Sequence, residues 1–272
     1  MYSRSDIEEL ARKCRVHVIK MVHRTKASHV GSCFSIAELL AVLYSNVLQV
    51  RPNQPDWPGR DRFILSKGHA AAVLYAVLAE KGFFPVSWLD SFYHDDSILG
   101  GHVNWKVPGI EVSTGSLGHG LPIACGMALY AKRANQNHRI YVLLSDGELD
   151  EGSNWESALF AAQHHMDNLM VIVDANQFQG FGPVKDILNL EPIAEKWRAF
   201  GWEVTEVDGH NPDAIKIGLD KLASLSGSPK VMIAHTIKGK GVSFIQDRME
   251  WHYKSPTDEQ LAIALSELGE SK

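Results

Sequence analysis

I-Y-V-L-L at Ile140–Leu144 runs straight into the acidic turn S-D-G-E-L-D-E-G at Ser145–Gly152, and L-M-V-I-V at Leu169–Val173 runs in the same way into D-A-N-Q-F-Q-G at Asp174–Gly180. A short, continuous apolar run closed by turn residues is the pattern of a strand covered on both faces. A helix over Ser153–His165 fills the interval between them. The alternation continues outward through helix Ile193–Phe200, strand Trp202–Val207, helix Asn211–Leu225, strand Lys230–His235 and a last helix Thr257–Leu268. Strands alternating with helices predict an α/β fold: a three-layer, doubly wound parallel sheet with helices on both faces and right-handed crossovers.

Upstream, Ser5-Asp6-Ile7-Glu8 has the pattern of a capping box, and Ile7, Leu10, Cys14, Val18, Met21 and Val22 follow at helical spacing to about Arg24. Ser35-Ile36-Ala37-Glu38 repeats the start signal for a helix through Leu48. R-F-I-L at Arg62–Leu65 reads as a short strand, and Gly68-His69 begins an Ala-rich helix, Ala70 to Lys81, that stops at Gly82. Pro85 to Pro108 lacks a period and reads as loop plus short helix. A Gly-rich turn from Gly115 opens a helix to Ala134. With no repeat or Pro/Ser-rich linker, the expectation is one domain, 1–272, with a C-terminal extension from about Gly239.

The chain has 272 residues, 27 Lys+Arg against 32 Asp+Glu, a formal net charge of -5 and 45% hydrophobic residues, a composition that excludes disorder as the main state. No apolar stretch approaches the ~18 residues that span a bilayer, and residues 1–25 lack an export signal, so no membrane association is expected and the expected compartment is cytoplasmic. Cys14, Cys33 and Cys125 form no disulfide or zinc pattern and are expected to be reduced. A pI of about 6.2 gives no footprint for nucleic acid and favours small molecules or protein partners.

Ligands of an open parallel sheet sit beyond the carboxyl ends of its strands. There Asp146 supplies a hard carboxylate, Gly147 permits close backbone approach, and Asn176 adds an amide oxygen. This is a Mg²⁺ or Ca²⁺ set, sparse enough to suggest a metal bridging protein to a diphosphate. Asp-Gly is also a common turn pair, so an acidic turn stands beside the metal reading. An EF-hand is excluded because Gly147 follows the first Asp immediately. T-G-S-L-G-H-G at Thr114–Gly120 can face backbone N–H groups to an anion at a helix N-terminus, or can serve close packing; it matches a dinucleotide fingerprint only loosely. Of thirteen histidines, His29, His69, His102, His119 and His252 fall in loops or at helix starts, which suits chemistry on hydroxyls and carbonyls, although each alone also reads as solvated or capping. His17, His23, His138, His164 and His165 read as solvated or capping.

In order, K-A-S-H-V-G (Lys26–Gly31), S-K-G-H-A (Ser66–Ala70), G-G-H (Gly100–His102), P-G-I-E-V-S-T-G-S-L-G-H-G (Pro108–Gly120), the two strand-end motifs, G-W-E-V-T-E-V-D-G-H-N (Gly201–Asn211) and W-H-Y-K-S-P (Trp251–Pro256) resemble transketolase. The resemblance covers Ile7 to Pro256 and only the amino-terminal part of that family, the domain that binds the diphosphate end of thiamine diphosphate. It implies Asp146, Asn176 and the Phe178 carbonyl as metal ligands, with Mg²⁺ expected and Ca²⁺ or Mn²⁺ as alternatives. Gly147, His69, Gly115 and Leu117 would contact the cofactor, and Ser116 and Glu148 are placed with them. His29 and His102 would contact the reacting sugar, and His252 would span diphosphate and substrate. Glu151 resembles an acid buried at the subunit interface. Ser145 where Gly is usual, Val103 where Pro is frequent, and Tyr253 where Gly is frequent are departures; Tyr253 threatens the placement of His252.

The implied protein is the small subunit of a split transketolase, moving a two-carbon ketol unit from a ketose, phosphorylated or otherwise anionic, to an aldose. Its partner would carry the pyrimidine-binding and C-terminal domains, in an α2β2 assembly. Two rivals stand beside it: the α chain of a two-subunit 2-oxo-acid decarboxylase or dehydrogenase, and a non-catalytic module retaining the fold.

Overall fold

Strands β1 (Arg62–Leu65), β2 (Ile140–Ser145), β3 (Leu169–Ala175), β4 (Glu203–Asp208) and β5 (Lys230–His235) form one sheet in the order β1-β2-β3-β5-β4, every neighbouring pair parallel, in a computed structural model that describes residues 2–270. All residues of β2 and β3 are buried, as their unbroken apolar runs require, whereas the edge strand β4 alternates in exposure. Alternation of side chains across the pleat divides the core. Tyr141, Leu143, Met170, Ile172 and Met232 face helices α1 (Arg4–Thr25), α3 (Ala37–Val42), α4 (Ala71–Glu80) and α9 (Pro212–Ala223). Val142, Leu144, Val171, Val173 and Ile233 face α5 (Gly120–Arg133), α6 (Gly152–Gln163) and α8 (Ile193–Ala199), where Trp197 is fully buried. This is the expected three-layer α/β arrangement.

Two helix starts differ from the sequence reading. The cap of α1 is Ser3, not Ser5: the Asp6 N–H donates to the Ser3 hydroxyl (3.2 Å) and the Ser3 N–H to the Asp6 carboxylate (2.8 Å). Glu8, the reciprocal residue a Ser5 cap would need, is held by Arg4 at 2.8 Å. Nor does Ser35 cap a helix. Its hydroxyl donates to the Asp174 carboxylate at 2.8 Å, and the segment divides into α2 (Val30–Phe34), α3 and a widened π turn over Leu43–Val47. Long-range capture of Ser35 by a buried acid outweighs its local cap propensity. The sequence reading also missed α7 (Val184–Ile187) and the 3₁₀ turns Gly147–Asp150 and Met249–His252, all too short to carry a period. A last helix, α10 (Asp258–Glu267), packs against α1.

The three cysteines are free and buried, and burial pushes the Cys33 thiol up to about 11 and that of Cys125 to about 12, so both stay protonated and unreactive at neutral pH. No helix among the described residues is long and apolar enough to cross a membrane.

Because the strands are parallel and in register, with Ser145 opposite Asp174 and His235 opposite both Ala175 and Asp208, the exits of β2, β3, β4 and β5 line up along one edge. The β1 exit joins them through Gly68, where an added Cβ would lie 2.3 Å from the Thr114 carbonyl oxygen. Only glycine lets the Thr114–Gly120 loop come this close. Gly68→Ala is therefore expected to lower unfolding free energy by about 1–3 kcal/mol, the usual range for overpacking, read from a urea melt; an unchanged midpoint would show that the loop can retreat freely.

Candidate active site

The strand exits meet in a cavity of about 380 Å³ whose wall includes His29, His69, His102, Gly147, Asn176 and Lys238. Its floor is built around Asp174 at the end of β3. The Lys67 ammonium donates to Asp174 Oδ2 at 2.5 Å, and neither side chain has any solvent exposure. Ser35 Oγ and the Asn176 amide nitrogen donate to the same oxygen at 2.8 and 2.7 Å, and Thr236 Oγ1 donates to Oδ1 at 2.5 Å. Desolvation alone would raise the Asp174 carboxyl, but the Lys67 charge and these donors outweigh it and hold the group ionised, below its usual range. With its nitrogen bound to Asp174, Asn176 keeps its amide oxygen free to act as an acceptor, and that oxygen takes the Phe178 N–H at 3.1 Å.

Asp146, 1% exposed, lies just behind the cavity wall at the β2 exit. Its carboxylate accepts the Gly147 N–H at 2.8 Å and the Gln177 N–H at 2.6 Å. Burial, reinforced by the charge of Asp174, pushes its carboxyl up to about 7. A carboxylate so poorly solvated gains most from a cation. The accompanying donors are hard oxygens too: the Asn176 amide and the Phe178 carbonyl, which accepts from Lys238 Nζ at 3.2 Å and retains a second lone pair. With a single carboxylate this set suits an octahedral dication completed by phosphate oxygens and water better than an all-protein cage. The described residues contain no group of three or more His, Cys, Asp or Glu that could hold a metal ion.

Four imidazoles crowd the opposite wall. The His29 ring centroid lies 5.0 Å from His69, 4.9 Å from His252 and 6.0 Å from His102. Burial first, then neighbouring positive charge, lowers His29 to about 4 and His252 to about 3, and drives His69 well below its ordinary value. These three rings are neutral at pH 7, each able to donate through one nitrogen and accept through the other. Positive charge comes instead from lysine. Lys238, 1% exposed, reaches Phe178 O and His252 Nδ1 at 3.2 Å; desolvation and the like charge of Lys67 lower its ammonium to about 8.

Of the residues singled out from sequence, His29, His69, His102, Gly115, Leu117, Gly147, Glu151, Asn176, Phe178 and His252 line the cavity. Ser116 is exposed and outside it, and Glu151 is exposed at the rim of this chain. Glu148 does not line it either. Fully buried, it bonds the Ser66 hydroxyl and accepts the Gly118 N–H at 2.9 Å and the Ser145 N–H at 3.3 Å. The glycine-turn N–H groups expected to face an anion are thus engaged internally at Gly118, and at Gly120 by Ser66 Oγ at 3.1 Å. Exposed His119 turns its Nδ1 to Leu117 O, and His138, expected at the surface, is buried. Lys67, Lys238 and Asp174 escaped the sequence reading. Reading the exits of β1 and β5 as closely as those of β2 and β3 would have found both lysines, in S-K-G and T-I-K-G.

A parallel sheet whose carboxyl edge gathers hard oxygen donors, buried lysines and neutral imidazoles around one cavity is a cofactor-binding α/β domain suited to an anionic, metal-bridged ligand. The family described as "Transketolase, thiamine diphosphate binding domain" matches residues 7–271. One of the subunits of the apulose-4-phosphate transketolase of Actinobacillus succinogenes is 46% identical over 270 residues, 98% of this chain and 97% of that one. The 6-deoxy-6-sulfo-D-fructose transketolase subunit SqwG of Clostridium sp. strain MSTE9 is 39% identical over 264 residues, 97% of this chain and 96% of that one. The crystal structure of transketolase from Campylobacter jejuni superposes with a TM-score of 0.93 at 31% identity, over 98% of this chain and 43% of that chain, so this chain spans less than half its length. The chain belongs to the transketolase family. That membership decides against the 2-oxo-acid rival.

Breaking the pair at the cavity floor leaves an unpaired charge without water. Asp174→Ala and Lys67→Met are each expected to cost about 3–5 kcal/mol of stability. The joint replacement Lys67→Met with Asp174→Leu should cost less than the sum, as measured by denaturant unfolding; strictly additive losses would deny the coupling.

Proposed function

We propose that this chain is the diphosphate-binding subunit of a two-chain transketolase, transferring a two-carbon ketol unit from an anionic ketose to an aldose. The observation that carries the reading is the cavity in which Asn176, Phe178, Lys238 and four imidazoles converge, with the Asp146 carboxylate directly behind its wall. Thiamine diphosphate, when bound, supplies the nucleophile and electron sink for breaking a carbon–carbon bond next to a carbonyl. The Asp146 carboxylate, Asn176 amide oxygen and Phe178 carbonyl would hold Mg²⁺, with Ca²⁺ or Mn²⁺ as substitutes, which would offset the diphosphate's charge. A dication there would keep Asp146 ionised despite its burial. Lys238 and His69 are assigned to the diphosphate oxygens; the Gly147 N–H, which donates to Asp146 at 2.8 Å, would join them once a metal draws that carboxylate away. Gly115 and Leu117 present backbone to the cofactor.

His29, His102 and His252 are assigned to the sugar. The neutral rings of His29 and His252 suit this task, because each can accept a hydrogen bond through one nitrogen while donating through the other. An imidazolium could only donate. The donor class follows the relatives, whose names give apulose-4-phosphate and 6-deoxy-6-sulfo-D-fructose as their substrates. A partner chain supplying the pyrimidine-binding and C-terminal domains is supported by the same relatives, matched end to end and described as subunits. Two copies of each chain are proposed, on the precedent that most oligomers close a symmetric interface. The cytoplasm is the proposed compartment, supported by three free thiols.

Asp146→Ala is expected to abolish metal-dependent thiamine diphosphate binding by the chain with its partner, and Asn176→Ala to weaken it less, in calorimetric titrations. His69→Ala should weaken cofactor affinity roughly 10- to 150-fold, the value of a hydrogen bond to a charged group. His102→Ala should spare affinity and lower turnover by about 10²–10⁴. Identical phenotypes for the two histidines would sink this division of labour. The chain alone should show no ketol transfer with cofactor, Mg²⁺ and a ketose–aldose pair, and should gain it on addition of the partner; robust turnover by the chain alone would overturn the two-chain reading.

A further inference from the structure

Two features take no part in the cavity wall, the buried Arg15–Glu38 ion pair and the partly buried D-G-H-N turn at Asp208–Asn211. They meet each other. Arg15 donates to both Glu38 oxygens at 2.6 Å and to Phe34 O at 3.0 Å. His210 Nδ1 lies 3.0 Å from Glu38 Oε2, and its Nε2 lies 2.8 Å from the Ile237 backbone nitrogen. An amide N–H can only donate, so Nε2 carries no proton; Nδ1 carries it and donates to Glu38. The carboxylate is thus filled by three donors from α1 and the β4–α9 turn. The Arg15 and His210 contacts outweigh desolvation and hold its carboxyl down near about 2, so the clamp keeps its charge across the working pH range.

The turn bearing His210 is pressed onto the β5 exit. Gly209 N–H donates to His235 O at 2.8 Å, and a Cβ at Gly209 would stand 2.4 Å from Thr236 Cγ2. Ile237 immediately precedes Lys238. The far side of Lys238 is held as well: its carbonyl accepts the Asp247 N–H at 3.0 Å, and the Gly239 N–H donates to Gly31 O at 3.0 Å. Such bracing has a reason. A lysine ordinarily extends its ammonium to water, and this one is held in the interior, against desolvation and the nearby Lys67 charge.

We propose that His210, clamped by Glu38 and Arg15, is a positioning residue that fixes the backbone at Ile237 and so aims the Lys238 ammonium at the diphosphate end of the cavity. The role rests on the reading of the cavity as a diphosphate site. His210 touches no ligand itself. Its effect on binding should therefore pass through Lys238, which a residue that merely stabilises the fold would not require.

The test is calorimetric titration of thiamine diphosphate with Mg²⁺ into the chain with its partner, alongside thermal melts. Lys238→Met is expected to weaken binding by roughly 10- to 150-fold. His210→Asn, too short to reach the Ile237 N–H, should weaken it about tenfold, as loss of a supporting residue commonly does. His210→Gln, whose amide oxygen reaches that N–H, should restore affinity to within about twofold, well inside the 1.4 kcal/mol that a tenfold change represents. In the Lys238→Met background, His210→Asn should add nothing further. Glu38→Gln, which loosens the clamp with the ring in place, should cost about threefold and carries the test if His210→Asn does not fold. Wild-type affinity in His210→Asn, or losses that add to those of Lys238→Met, would overturn the role. Wild-type affinity in Lys238→Met would overturn the assignment of Lys238 itself, and absence of binding by the unaltered complex would overturn the reading of the cavity.

Discussion

The ion pair between Lys67 and Asp174 is the constraint on which the cavity depends. Both groups are fully out of water, 2.5 Å apart, at the exits of β1 and β3, with β2 between those strands in the sheet. Such a pair adds little net stability, because desolvation consumes most of the Coulomb gain. Its effect is to fix an arrangement. Four side chains from four segments, Lys67, Ser35, Asn176 and Thr236, must point at one carboxylate to keep it ionised. Each belongs to a segment that also contributes to the cavity wall. The Asp174 carbonyl adds a fifth tie by accepting the Asp146 N–H at 3.1 Å, which joins the β2 exit to the same point.

Charge in the cavity is distributed by this burial. Lys67 neutralises Asp174, leaving Asp146 beside a negative neighbour and Lys238 beside a positive one. Each is strained toward its neutral form, Asp146 upward and Lys238 downward. A dication would satisfy the first and an anion the second, so the proposed metal–diphosphate pair would relieve both where either half alone would relieve one. His29, His69 and His252 are neutral first because they are buried, and then because two buried ammonium groups make a further cation costly.

Sequence alone made the sheet legible because its signal is local. Ile140–Leu144, Leu169–Val173 and Val231–Ala234 are apolar enough that burial on both faces is their only stable use. Helix starts were less legible where a distant group intervened: Ser35 has the local chemistry of a cap, yet Asp174, far along the chain, takes its hydroxyl. The same limit applied at the glycine turn, whose N–H at Gly118 is claimed by Glu148 from the β2 exit. Most candidate residues carrying recognisable short motifs came together in one cavity, with Ser116, Glu148 and His119 outside it. The lysines were passed over, because a lone Lys in S-K-G or T-I-K-G looks like any surface cation until the fold shows that it has no route to water.

Tyr253, the departure that threatens the placement of His252, packs against that residue while His252 lies among the other imidazoles. Its ring meets His252 edge-on at 4.8 Å, and its hydroxyl extends over Gly180, within 2.8 Å of where a Cβ would stand. The bulk added after His252 thus occupies room left by a glycine across the cavity mouth. His252 keeps its place in the imidazole group, 4.9 Å from His29 and 5.5 Å from His69, with Lys238 on its Nδ1. Tyr253 joins Phe181, 81% exposed, at the rim, so its bulk stands at the entrance to the cavity, in front of the histidines.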